Sequence, residues 1–95
     1  MRVSENSLNR SSVLLYLSTI VRMDETGQRL INGKPMDQTS IRAYFRWSIE
    51  GSTPDFFSFD RFLTRNDIHI QDYLTYCHAE GLNAWALSEP QWNLV

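Results

Sequence analysis

A mostly α-helical fold is what the sequence predicts: a compact bundle of four to five short helices with a small β-hairpin around residues 28–36. Three patterns carry that expectation. Apolar residues recur at helical spacing in several separate runs, helix-capping residues precede each run, and an Asn-Gly pair sits between two short, partly apolar stretches.

Residues 1–11 are polar and read as a loose N-terminal tail ending at a cap, Ser11 or Ser12. Val13, Tyr16, Leu17, Ile20 and Val21 then share one helical stripe, so a first helix is expected to run to about Met23. Asp24 and Glu25 oppose the negative helix end and Gly27 follows, which stops it there. In Gln28–Met36 the pair Asn32-Gly33 is a strong signal for a two-residue hairpin turn, while Pro35, lacking an N–H, confines its strand to an edge.

Asp37 or Thr39 caps the next helix, in which Ile41, Tyr44, Phe45, Ser48 and Ile49 form the expected apolar stripe and Arg42, Arg46 and Glu50 the other side; Gly51 ends it. A third, shorter helix starts with Thr53 as cap, Pro54 in the first helical position and Asp55 complementing the dipole. Thr64 to Asp67 has capping-box spacing, Ile70, Tyr73, Leu74 and Cys77 share a face, and Gly81-Leu82 resembles a C-terminal cap, so a fourth helix is expected over about 67–80. Asn83 caps one last turn through Trp85 and Leu87, and Pro90 closes it ahead of a C-terminal tail, residues 88–95.

With 95 residues, 42% hydrophobic and 21% charged, the chain is sized and balanced for a single small helical domain spanning 1–95. Its core is thin at this length, so the aromatics, three Trp, four Tyr and five Phe, are the expected source of stability. Cys77 is the single thiol, which excludes an intramolecular disulfide and fits a reducing, cytoplasmic setting. The apolar run Val13–Leu17 is too short for a membrane span, and no small-residue cleavage site follows it, so no membrane partner is expected.

Catalytic chemistry is not legible. On a helix the adjacent Cys77 and His78 diverge by about 100°, too far to act as nucleophile and base. One Cys and two His without paired spacing do not make a zinc site, and neither a glycine-rich phosphate loop nor a nucleophile elbow is present. Asp55, Asp60, Asp67 and Asp72 fall where helix starts and solvated faces already call for carboxylates. No enzyme, metal or cofactor is therefore expected.

Binding is better supported. The segment Phe56–Leu63 wraps an apolar arc of more than about 200° around a helix, with Phe57 and Phe62 flanking Phe56, Phe59 and Leu63. Such a helix is either nearly surrounded by the fold or leaves an aromatic edge for a partner. Eight of the nine basic residues are Arg, the residue suited to carboxylate, phosphate and aromatic contacts. Residues 1–50 hold seven basic against five acidic residues, and residues 51–95 two against six, within a net charge of −2. Arg42 and Arg46, one turn apart with Trp47 beside them, repel mildly on an isolated helix and so point to an outside partner or to acids from the second half.

The expected function is a small non-enzymatic regulatory or adaptor protein that binds a protein partner, or a second copy of itself, through Arg42, Arg46, Trp47, Phe57, Phe62 and the tail residue Trp92. The alternative is a small helical DNA-binding transcriptional regulator that uses the helix around residues 40–50, with Lys34, Arg42 and Arg46 as its phosphate contacts; its overall acidity weighs against it.

Overall fold

Helix α1, Arg10–Ile20, starts from Asn9, whose side chain accepts a hydrogen bond from the Ser12 N–H. This is the opening of a computed structural model that describes residues 6–86. Ser12, Val13, Tyr16 and Leu17 are buried, the stripe the spacing predicts. The helix is shorter than expected. At Val21 the backbone turns extended, and Val21–Met23 forms strand β1, paired antiparallel with β2 (Arg29–Ile31) in the register Val21↔Ile31, Arg22↔Leu30 and Met23↔Arg29. Ile20 and Val21 are β-branched and stiff at χ1, so pairing with β2 prevails over a further helical turn while Val21 stays buried.

Asp24 does not merely stop the helix. Its carboxylate accepts from the N–H groups of Thr26 and Gln28 and from the Thr26 hydroxyl, building the turn between β1 and β2. Asn32 (φ 51°) and Gly33 (φ 82°) form the two-residue turn into β3, Lys34–Pro35, as the Asn-Gly pair requires. The sheet order is β1-β2-β3, which puts Pro35 on an edge. The Arg29 guanidinium lies 5.5 Å from the Tyr44 ring centre and 5.6 Å from that of Phe45, joining the sheet to the next helix.

Helix α2, Gln38–Ser48, is capped by Asp37, α3 spans Phe56–Arg65, and α4 spans Ile70–Glu80. The cap of α3 is Asp55, two residues beyond the expected Thr53. Pro54 is instead fully buried outside the helix, and its carbonyl accepts from Leu8. Helix α4 begins three residues late because Asn66 closes α3 and Asp67 adopts φ 62°, leaving His69 as the cap. At its far end Gly81 (φ 69°) and the bonds Gly81 N–H to His78 O and Leu82 N–H to Cys77 O complete the expected cap.

Two edges of the fold differ from expectation. Residues 6–9, read as part of a loose tail, are pinned: Leu8 is fully buried, and bridges join Ser7 to Asp55 and Leu8 to Trp85. Residues 82–86 form no helical turn; Trp85 stacks on Phe56 at 5.6 Å, and the Ser12 and Tyr73 hydroxyls donate to the carbonyls of Asn83 and Ala84. Long-range pairing of this kind leaves no local signal. Leu87 and the segment 88–95 lie outside the described residues.

The core is an aromatic series running through all four helices of the described chain. Trp47 on α2 meets Phe59 and Phe62 on α3 edge-on at 5.5 and 5.1 Å, Phe59 meets Tyr73 on α4 at 5.2 Å, and Tyr73 meets Tyr16 on α1 at 5.6 Å. Phe59 is fully buried at the centre of it. Replacing Phe59 by Ala removes a packed ring at a cost of about 3–5 kcal/mol, a large part of the stability of a domain this size. Urea unfolding should show F59A losing most of its cooperative transition and F59L keeping it at a lower midpoint; equal midpoints for F59A and the parent chain would contradict this account of the core.

Candidate functional site

A groove with a volume of about 190 Å³ lies between α2 and α3. Thr39, Ser40, Ala43, Arg46 and Trp47 line it from α2, and Ser58, Arg61, Phe62 and Arg65 from α3. Helical geometry produces this arrangement. Residues 39, 43 and 46 follow one another at i, i+4 and i+7, and residues 58, 61, 62 and 65 at similar steps, so each set runs along one flank of its helix. The two flanks meet because Trp47 packs its ring against Phe59 and Phe62, which also makes Trp47 and Phe62 the apolar floor.

One end of the groove is tied shut by polar contacts. The Asp37 carboxylate accepts from the Ser40 N–H at 2.8 Å and from Arg65 Nε at 2.7 Å, and buried Asn66 donates from Nδ2 to Ser40 Oγ at 3.0 Å and to the Phe62 carbonyl at 2.8 Å. The Ser40 N–H and then the Arg65 guanidinium hold the Asp37 carboxyl below the usual carboxylate range. A second depression shared by Arg46, Trp47 and Ser58 continues to Ser52 and Asp55. On the outer side of α3, Phe57, Asp60 and Thr64 border the same Arg61 and Arg65.

Most basic side chains have a task within the fold. Arg10 donates to the carbonyls of Trp47 and Ser48 at the C-terminal end of α2, Arg22 to those of Ser18 and Val21 after α1, and Arg29 covers two aromatic rings. Lys34 pairs with Asp67 and Arg65 with Asp37, both at 2.7 Å. The guanidinium groups of Arg42, Arg46 and Arg61 remain, exposed and with no acidic partner among the described residues.

Arg42 and Arg46 are exposed on α2, Arg46 at the groove and Arg42 one turn earlier on the same helix. Phe57 is 62% exposed and forms part of the surface. Trp47 and Phe62 are corrections: each is only 5% exposed, because the inward face of α2 is Ser40, Ala43 and Trp47, whereas Ile49, expected inside, is 73% exposed. Lys34 is engaged by Asp67 and does not extend the Arg42–Arg46 pair. Trp92 lies outside the described residues. Arg61 and Arg65 were the residues missed. They show the same i, i+4 repeat of like charge as Arg42 and Arg46, but the aromatic run around them dominates that helix.

Elsewhere the polar chemistry is quiet. Burial pushes the Cys77 thiol up, the direction opposite to an activated thiolate, and raises Tyr73 well above its ordinary value and Tyr16 to about 12. Among the described residues, no group of three or more His, Cys, Asp or Glu side chains could hold a metal, and no helix is long and apolar enough to cross a membrane. Comparison with protein-family models, with curated proteins and with solved structures finds no match.

The Asp37 contacts have a consequence for pH. A carboxyl whose folded pKa is lowered stabilises the fold above its unfolded pKa of about 3.9 and loses that contribution as pH falls through the lower folded value. Asp37→Asn keeps a capping oxygen but cannot ionise. Urea midpoints followed from neutral to acid pH should therefore show D37N less stable than the parent at neutral pH, with the gap closing on the acid side of the carboxylate range. A gap of constant size down to the acid end would refute an ionised Asp37 as the clasp between α2 and α3.

Proposed function

We propose that this chain is a small non-enzymatic regulatory or adaptor protein whose working surface is the arginine-bearing α2–α3 face, and that it binds an acidic segment of a protein partner in a cytoplasmic setting. The observation that supports this most is the uncommitted charge: Arg42, Arg46 and Arg61 have no acidic partner among the described residues, while the other described basic side chains cap helices, cover rings or form ion pairs. Arg is the cation least costly to strip of water and the best shaped to hold carboxylates in bidentate fashion. Exposed Phe57 beside Arg61 adds the aromatic contact that interface hot spots favour.

A nucleic-acid partner is the second reading, favoured by Arg42 and Arg46 standing exposed one turn apart on a single helix. It draws less support. Trp47 is buried, and Asp37, Asp55 and Asp60 border the same face, as Asp67 does Lys34, which breaks the broad basic footprint that duplex phosphates require.

Fluorescence anisotropy with a labelled Asp/Glu-rich peptide, a neutral peptide of equal length and a DNA duplex separates these readings. The acidic peptide is expected to bind, to weaken with added salt, and to lose about tenfold or more in affinity in the R42Q/R46Q/R61Q chain. No binding at low salt would overturn the proposal, and a duplex bound more tightly than the peptide would replace it with the nucleic-acid reading. Light scattering in the same buffer reports whether a second copy of the chain is the partner.

A further inference from the structure

From three arginines, Arg46, Arg61 and Arg65, lining one small, hydroxyl-bearing groove we infer that the α2–α3 site is a phosphate pocket, which receives a phosphorylated side chain of the partner protein. The inference rests on the acidic-partner reading and sharpens it. Arg46 reaches the groove from α2, and Arg61 and Arg65 from α3. A carboxylate offers two coplanar oxygens and one charge. A phosphate monoester offers three oxygens and a charge of about −1.5 to −2, and so matches donors arriving from two helices better than a carboxylate does.

The lining fits the same group. Thr39 and Ser58 supply hydroxyls beside the arginines, and Trp47 and Phe62 form an apolar floor beneath them. At about 190 Å³ the groove suits one compact charged group, not a length of polypeptide. The flanking depression bordered by Phe57 and Arg61 offers the neighbouring side chain of the same segment an apolar contact, which is why a peptide is favoured over a lipid headgroup.

Asp37 has a defined part in this site. Its carboxylate holds Arg65 at 2.7 Å on the exposed surface, where an ion pair is weak and exchangeable. An arriving phosphate therefore competes with Asp37 for Arg65, and removal of the Asp37 charge should tighten binding.

The test uses the full chain labelled with nitrogen-15. Inorganic phosphate and then phosphoserine are titrated while the arginine side-chain N–H signals are followed. Next come three peptides identical except for phosphoserine, Glu or Ser at one position, and finally vesicles of phosphatidylcholine with and without a phosphoinositide. The expected result is a saturable response confined to Arg46, Arg61, Arg65 and the Ser58 region, with the phosphoserine peptide bound about tenfold or more tighter than its Glu counterpart. R61Q should weaken that binding about tenfold or more, and D37N should strengthen it severalfold, a gain that a damaged fold does not produce.

A response spread equally over Arg10, Arg22 and Arg29, or vesicles outcompeting the phosphopeptide, would overturn the inference. Equal binding of the Glu and phosphoserine peptides would also overturn it while leaving the acidic-partner reading in place; failure of every acidic peptide would remove both.

Discussion

Phe59 is the residue on which the rest of this structure depends. Its ring is met by Trp47 from α2 and by Tyr73 from α4, and Tyr73 passes the contact to Tyr16 on α1. Each edge-on contact contributes about 0.5–1.5 kcal/mol beyond the area it buries, and a thin core has few other sources of comparable size. The orientation of α2 follows from it. With Trp47 turned inward, the residue before it on the helix is displaced by about 100° and falls at the margin of the interface with α3. Arg46 therefore faces Arg61 and Arg65 across a groove as a consequence of how the tryptophan packs.

Short-range sequence signals specify short-range structure here. Asn32-Gly33 specified its turn because both positions need positive φ, Gly81 and Leu82 closed α4 by the bonds their order implies, and Asp37 capped α2. What escaped the sequence was non-local. Strand β1 exists because Ile31 and Leu30 lie alongside Val21 and Arg22, and the spacing of Val21 satisfies a helix face and a strand face equally. The cap of α3 moved to Asp55 because residues 6–8 bond to Pro54, Asp55 and Phe56, far away in the chain.

The candidate site divides along the same line. Arg42 and Arg46 were visible as a repeated like charge on one helix face, which no intrahelical interaction rewards. Arg61 and Arg65 carry the same mark, yet four Phe rings within seven residues, from Phe56 to Phe62, outweigh it in any hydrophobic pattern. Trp47 misled for a related reason. The stripe Ile41, Tyr44, Phe45, Ser48 and Ile49 is as periodic as the stripe Ser40, Ala43 and Trp47; Ile41 and Tyr44 do pack against the core, but Phe59 and Phe62 opposite draw Trp47 inside and leave Ile49 exposed.

The two ends of the groove are not equivalent in charge. At the Asp37 end a carboxylate already sits against Arg65 and accepts from the Ser40 N–H, so the local field is largely cancelled. At the other end Arg46 and Arg61 line the groove with Ser58 and form no ion pair among the described residues, although Asp55 and Asp60 border the neighbouring depressions. Both are exposed, so their mutual repulsion amounts to no more than about a few tenths of a kcal/mol, far below the packing energy that places them there. The aromatic core thus places two like charges on one groove at small cost to folding.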